Sequence, residues 1–380
     1  MNSSRVETVL AELSRVVRER YNFAKNLKEQ HGNHVAGYFC TYAPEELFDA
    51  AGWLPVRLLV SESRASVADA HLQNFACSLA RACLGARLSG ELDFLDGVIF
   101  PHTCDTMQAL AEIWPGSGAE MAQFTFMVPA NVNSPHSREY LLAELRRVRR
   151  QVEDLIGHPI PDERLRESVG VFNGNRAALR RLYEVRRNRA SALPGTAVQT
   201  VVEAGFLMPK RDHTALVNQL AHALEESAPD TSAEDKPRVV VAGGACCPSL
   251  VTELMEQMGA IVVDDDQCTG WRYISSDAPA DGEPLEAIAL RLLDRVPCPS
   301  KHREDFSRDD YLLDKVKTSG ARGVVFHLLK YCDPWAFEYP KLRERLQEEG
   351  IPTLLLETEF GEASDGQLRT RLQAFIEMIG

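Results

Sequence analysis

Three cysteines stand where chemistry could be done. Cys104 lies in "FPHTCDTMQAL" (100–110), where a short apolar run gives way to an amphipathic stretch. Cys332 lies in "FHLLKYCDPWAF" (326–337), a second copy of the same arrangement. Each is followed by an aspartate. In open α/β sheets ligands bind beyond the carboxyl ends of the strands, and both cysteines fall there. Cys77, in "HLQNFACSLARACLG", sits at the start of a helical pattern, where the helix dipole favours a thiolate. Three thiolates from separated segments suit a cubane iron–sulfur cluster with one iron left open to an oxygen ligand. The competing reading is that free cysteines are small buried hydrophobes.

The chain has nine cysteines, an odd number, and no CxxC pair, so neither a disulfide framework nor a zinc ribbon is expected. Cys40 precedes a Pro-Glu-Glu helix start and belongs near the same cleft. Cys246 and Cys247, in "GGACCPS", hold the equivalent place in the second half. Cys268 follows the run Asp264–Asp266 at another strand end. Cys83, six residues after Cys77 and off its helical face, is assigned to the core, and Cys298, between prolines, to a surface loop.

Among other polar groups, Glu45 and Glu46 offer acid–base chemistry at the cleft or simple first-turn capping. His102 and His327 flank the two cysteine loops and could donate protons, although His327 on its apolar strand also suits a core position. Glu46, His102 and Cys40 are therefore the candidates for catalysis. Asp105 and Asp333 read as helix caps that fix the cysteine loops. The Asp264–Asp266 run is either a cation site or a solvated cluster at a strand end.

The elements that would position these groups repeat. Residues 34–60 read strand, loop with cysteine, helix, strand. Residues 238–266, "RVVVAGGACCPSLVTELMEQMGAIVVDDD", read the same way. Each half continues through its cysteine loop to a last apolar strand, "FTFMVP" (124–129) or "PTLLLE" (352–357). Alternating strands and helices predict parallel sheets with covered faces. The expected fold class is α/β, with two similar open parallel-sheet domains of the Rossmann or flavodoxin-like kind and a helical segment between them. The expected divisions are an N-terminal helix (1–33), a first α/β domain (34–136), a helical segment and linker (137–236) and a second α/β domain (237–380). In the helical segment Ser137 reads as an N-cap. Its dense arginines read as solvated faces with Arg–Glu pairs or as a docking face for an acidic partner or phosphates.

Composition narrows the function. With 380 residues the chain can bury more than one core, and its apolar (44%) and charged (26%) shares are those of a globular protein. A net charge of −13 argues against a general nucleic-acid or anionic-membrane binder. No apolar run reaches the roughly 18–20 residues of a membrane span. The N-terminus shows helical spacing instead of a secretory segment, so a cytoplasmic location is expected. No glycine-rich loop has Rossmann or P-loop spacing, which sets nucleotide hydrolysis aside.

The motifs "GYFCTYAPEELFDAAGWLPVRL", "CSLARACLG", "PHTCDTM", "DDDQCTGWRY" and "LLKYCDPWAFEYPKLRERLQEEGIPTLLLETE" together resemble the 2-hydroxyacyl-CoA dehydratase/benzoyl-CoA reductase family. The resemblance runs from about residue 34 to the C-terminus and is weakest across 140–235. It implies a [4Fe-4S] cluster held by three cysteines, at the matching positions Cys77, Cys104 and Cys332. It also implies a related second subunit (in a heterodimer or larger assembly) or a second copy of the chain, and an ATP-dependent iron–sulfur activator that supplies single low-potential electrons. The acceptor is an acyl- or aryl-CoA thioester. A thioester carbonyl reduced to a ketyl radical makes an adjacent difficult step accessible, either loss of water or reduction of an aromatic ring. The overall run of motifs leans to the aryl-CoA (benzoyl-CoA) reductase, with the (R)-2-hydroxyacyl-CoA dehydratase as the alternative. A non-catalytic electron-relay subunit, with Cys40 or Cys246 as a fourth ligand, is a further alternative, and a cluster-free α/β binding protein another. The family has a homodimeric branch with a double-cubane cluster and additional cysteines. The lack of an extra cysteine between Cys83 and Cys104 counts against that branch.

Overall fold

A computed structural model describes the whole chain except residues 1, 61–64, 188, 191, 228–234, 245–249 and 360–364. The strands fall where Val-, Ile- and Phe-rich runs end in turns. In the first half these are β1 (His34–Tyr38), β2 (Trp53–Arg57), β3 (Gly97–His102) and β4 (Ala122–Met127). In the second they are β5 (Arg238–Gly243), β6 (Ile261–Gln267), β7 (Gly323–Leu329) and β8 (Thr353–Thr358). Each set forms one parallel sheet, ordered β2-β1-β3-β4 and β6-β5-β7-β8. The two orders are the same when each half is counted from its own first strand. β2 and β7 are buried along their whole length, as expected of parallel strands covered on both faces. The two similar α/β units are therefore present.

In each sheet the first strand has its second on one side and its third on the other. Chain crossovers thus leave the sheet in opposite directions after the first and third strands, which opens a crevice at their carboxyl ends. Cys40 follows β1 and Cys104 follows β3. In the second half Cys332 follows β7, and Cys268 follows β6. Cys246 and Cys247 lie outside the described residues.

Helices Ser137–Ile156, Asp162–Arg187, Gly195–Gly205 and Lys210–Glu225 form the expected helical segment. The N-terminal helix Asn2–Glu19 packs on the last two of these. The largest apolar core joins the first sheet, this segment and residues 273–293 of the second half, including Tyr273, Leu285 and Leu292. Its arginines are not all solvated. Arg149 pairs with Glu153 (2.9 Å) and Arg181 with Glu225 (2.6 Å) at the surface, but Arg176 and Arg186 are buried. Arg186 donates to the carbonyls of Leu193 (2.8 Å) and Val263 (3.0 Å), tying the segment to β6. Ser137 is the first residue of its helix instead of the N-cap, and its hydroxyl donates to the Asn131 carbonyl (2.6 Å). Among the described residues no helix is long and apolar enough to cross a membrane.

The Asp264–Asp266 run also differs from expectation. It lies inside β6 and is buried, paired with Val240, Val241 and Ala242 of β5 beyond a register shift at Val239/Val240. Lys315 pairs with Asp264 (2.6 Å), the Tyr183 hydroxyl donates to Asp265 (2.6 Å), and Arg272 stands 3.4 Å from Asp266. The run is neither solvated nor open to a cation.

Candidate functional site

Each expected ligand is set by a helix start. Cys77 is the N-cap of helix Ser78–Leu88, Cys104 of Asp105–Ile113 and Cys332 of Asp333–Glu348. The cysteines themselves, not Asp105 and Asp333, hold the capping position, and the aspartates are the first helical residues, where their charge still suits the dipole. Tyr331 turns the chain into the third cap with a left-handed backbone (φ 64°), a conformation uncommon outside glycine and frequent at functional sites.

These loops from the two halves enclose one cavity of about 490 Å³. Cys77, Cys104 and Cys332 all line it. So do Cys40, Cys268 and Cys298, which makes six thiols around a single space among the described residues. The walls between them are largely apolar, with Phe39, Leu79, Met107 and Trp335. Cys298 is therefore no surface-loop residue. Its backbone N–H donates to the Tyr42 hydroxyl of the first half (3.3 Å), which draws the loop inward. Cys83 is fully buried in the core as expected, with its thiol donating to the Leu58 carbonyl (3.7 Å).

Burial disfavours the thiolate throughout. It pushes Cys104 up to about 12 and raises Cys77, Cys40 and Cys332 above the usual thiol range. First-turn N–H groups oppose it: those of Ala80 and Leu79 at Cys77, Met107 at Cys104 and Trp335 at Cys332. Cys298 moves the other way. Burial raises it, but Arg272, the Ser300 N–H and hydroxyl, and Arg308 together outweigh burial and lower its pKa.

Positive charge is built into the cavity. Arg57, at the end of β2, donates to the Cys268 sulfur (3.2 Å) and to the Cys268 carbonyl (2.8 Å). Arg272 lines the cavity with its guanidinium 4.8 Å from the Trp335 ring centroid. Just outside this lining, Lys301 interacts electrostatically with Cys40, Cys298 and Cys104. The sequence carried no spacing signal for these cations, since each meets its cysteines through tertiary packing.

The three catalytic candidates are placed differently from one another. Cys40 lines the cavity. His102 does not. It ends β3 beside Met127 (Nδ1 to Sδ 2.9 Å) and lines an adjoining cavity of about 590 Å³ that shares the wall Thr103, Cys104, Asp105 and Ser300. Burial lowers its pKa, so the imidazole is neutral near pH 7. Glu46 does not reach the cleft expected for it. It is fully buried, 2.8 Å from Arg176 and 3.9 Å from Arg291. Burial would raise its pKa, but the two guanidiniums win and hold it ionised. Glu45 is likewise occupied, accepting from the Tyr38 hydroxyl (2.7 Å). His327 is a core histidine, with Nε2 2.8 Å from the Thr358 hydroxyl.

The donor set fits an iron–sulfur cluster better than a lone ion. Among the described residues no three His, Cys, Asp or Glu side chains gather closely enough for one metal ion. A cubane places each thiolate on a different iron, so its ligands need not share one coordination sphere. Buried cations and soft donors in a largely apolar wall suit an anionic, sulfur-ligated group.

The family model for "2-hydroxyglutaryl-CoA dehydratase, D-component" matches residues 40–379. The chain is 29% identical to the beta subunit of lactoyl-CoA dehydratase from Anaerotignum propionicum, over 99% of this chain and 100% of that one. It is also 29% identical to a benzoyl-CoA reductase subunit from Thauera aromatica, over 91% and 90% of the two chains. Identity to the beta subunit of (R)-2-hydroxyglutaryl-CoA dehydratase from Acidaminococcus fermentans is 26%, over 92% and 93%. A dehydratase and a reductase stand at the same identity, so the lean toward the reductase is not singled out. With 340 of its 380 residues matched, the chain belongs to the 2-hydroxyglutaryl-CoA dehydratase D-component family.

Proposed function

We propose that the chain is a [4Fe-4S]-carrying subunit of an anaerobic enzyme that acts on a CoA thioester by single-electron transfer. The observation that carries this reading is the meeting of Cys77, Cys104 and Cys332, three helix caps from two domains, around one apolar cavity. A cluster held there would pass one low-potential electron at a time. The chain's own residues would do the rest. Phe39, Leu79, Met107 and Trp335 exclude water, and the first-turn N–H groups favour the ligating thiolates. Cys40 stands inside the cavity, and neutral His102 lies across the Cys104 wall as a proton carrier. A related subunit, or a second copy, and an ATP-dependent iron–sulfur activator complete the assembly in this reading. That the relatives are themselves named as subunits supports the first of these.

A second reading has one specific observation in its favour. Cys40, Cys268 and Cys298 line the same cavity and face buried cations, which gives six candidate ligands where the first reading uses three. Six thiolates would suit the double-cubane cluster of the family's homodimeric branch, despite the absence of a cysteine between Cys83 and Cys104.

Anaerobic purification with iron and acid-labile sulfide analysis tests both. About four irons per chain support the first reading and about eight the second. A colourless, iron-free protein that cannot be reconstituted overturns both. Assay with the partner subunit and activator then divides water elimination, from a 2-hydroxyacyl-CoA, from ring reduction of benzoyl-CoA.

A further inference from the structure

Burying a cation is costly, and an anion beside it offsets more of that cost than neutral acceptors do. Some buried cations here have a carboxylate, as Arg176 has Glu46 (2.8 Å) and Lys315 has Asp264 (2.6 Å), while among the described residues Arg186 has carbonyl acceptors alone. Arg57 has a third kind of partner. It is 1% exposed, and among the described residues no carboxylate pairs with it. Its side chain donates to the Phe39 carbonyl (3.4 Å), the Cys268 carbonyl (2.8 Å) and the Cys268 sulfur (3.2 Å). Of these acceptors only the sulfur can carry a negative charge. The guanidinium carbon also lies 4.8 Å from the Phe206 ring centroid.

Lys301 repeats the pattern. It is 9% exposed, its ammonium donates to the Val128 carbonyl (2.9 Å), and the ionisable groups facing it are Cys40, Cys298 and Cys104. Arg272 shares Asp266 (3.4 Å) but faces Cys268 and Cys298 as well. Cys77 and Cys332 lack such neighbours among their leading influences, which are burial, first-turn N–H groups, Asp333 and other thiols. Positive charge is thus concentrated on the Cys40, Cys268 and Cys298 side of the donor set.

We infer that Arg57 is a positioning residue that fixes Cys268 across the seam between the two domains and, with Lys301 and Arg272, stabilises the reduced form of an iron–sulfur group in this cavity. The inference rests on the cluster reading above. One electron enters from an external low-potential reductant, which is oxidised by one. No bond forms or breaks, and a fixed cation balances the added charge so that no proton need follow. A nearby charge in a water-poor site acts strongly on such a step.

The test is the midpoint potential of the iron-loaded protein, followed by electron paramagnetic resonance during anaerobic titration with dithionite or titanium(III). The variants are Arg57→Met, Arg57→Lys and Lys301→Met, each with iron content measured. The two Met variants are expected to keep their iron and shift to a more negative potential, and Arg57→Lys to return most of the way to wild type. Full iron with an unmoved potential in Arg57→Met overturns the inference. So do equal changes in Arg57→Met and Arg57→Lys, which would mark a purely structural role. If Arg57→Met fails to fold, Lys301→Met decides, since it removes one hydrogen bond, and an unmoved potential there overturns the inference. Wild-type protein without iron removes the cluster reading and this inference together. Iron-loaded wild type with unmoved variants removes this inference alone.

Discussion

Cys104 and Cys332 occupy equivalent places in the two halves of the molecule, each capping the helix that leaves the third strand of its sheet. Equivalent topology therefore delivers two sulfurs to one cavity from opposite domains. If they are cluster ligands, Cys104→Ser and Cys332→Ser each lose most of the iron while far-UV circular dichroism stays unchanged. Cys83→Ser, in the core, keeps its iron and instead loses stability, by about 1–3 kcal/mol for an imperfectly bonded buried hydroxyl. Full iron in Cys104→Ser would remove that residue from the ligand set.

Glu46 gives the sharpest contrast between position in sequence and position in space. At the start of helix Glu45–Ala50 it faces Arg176 from the helical segment and Arg291 from the second half. Glu46→Gln leaves those guanidiniums without a buried counter-charge. A loss of about 3–5 kcal/mol is expected, read as a fall in denaturant midpoint, with iron loading unchanged in the protein that stays folded. A Glu46→Gln protein of full stability that had lost turnover would return the residue to acid–base chemistry.

The strands and the cysteine loops at strand-to-helix junctions were legible because both are local, although the caps read as Asp105 and Asp333 fall one residue earlier, on Cys104 and Cys332. Valine-rich runs such as Arg238–Gly243 end in loops, and a cysteine followed by aspartate after such a run marks a strand-to-helix junction. Contacts made at long range were not legible. Arg57 meets Cys268 across 211 positions and Arg176 meets Glu46 across 130, and no periodicity reports either. Flanking prolines make the Cys298 loop read as exposed, yet Tyr42 and the Arg308 side chain, which donates to the Pro297 carbonyl, hold it inside. The Asp264–Asp266 run reads as solvated because its counter-ion and hydroxyl partner, Lys315 and Tyr183, come from helices far along the chain.

Gly270 fixes the turn that follows Cys268. A Cβ there would collide with Asp265 Oδ1, which accepts the backbone N–H groups of Gln267 (3.1 Å) and Trp271 (2.8 Å). The neighbour cannot retreat without giving up those bonds. Gly270→Ala is expected to cost about 1–3 kcal/mol, the range for overpacking, and urea unfolding would read it. A variant as stable as wild type would show that the turn can rearrange.

Acid should weaken the fold through two buried imidazoles. His213 accepts from the Asn175 amide (2.8 Å) through Nδ1 and donates to the Val201 carbonyl (2.8 Å) through Nε2, so no position remains for a second proton. Burial, with Lys210 adding to it, pushes His213 down to about 3, and burial pushes His327 down to about 4. The unfolded chain takes up these protons near the ordinary histidine value of about 6.5, whereas the folded chain does not. Stability is therefore full above that value and falls as pH drops toward the folded values. At pH 5 each imidazole should account for about 2 kcal/mol of the loss. Denaturant midpoints of the metal-free protein between pH 7 and pH 5 would show the decline, and His327→Gln should make it shallower. A flat profile in wild type would mean that one or both rings already accept protons in the native state.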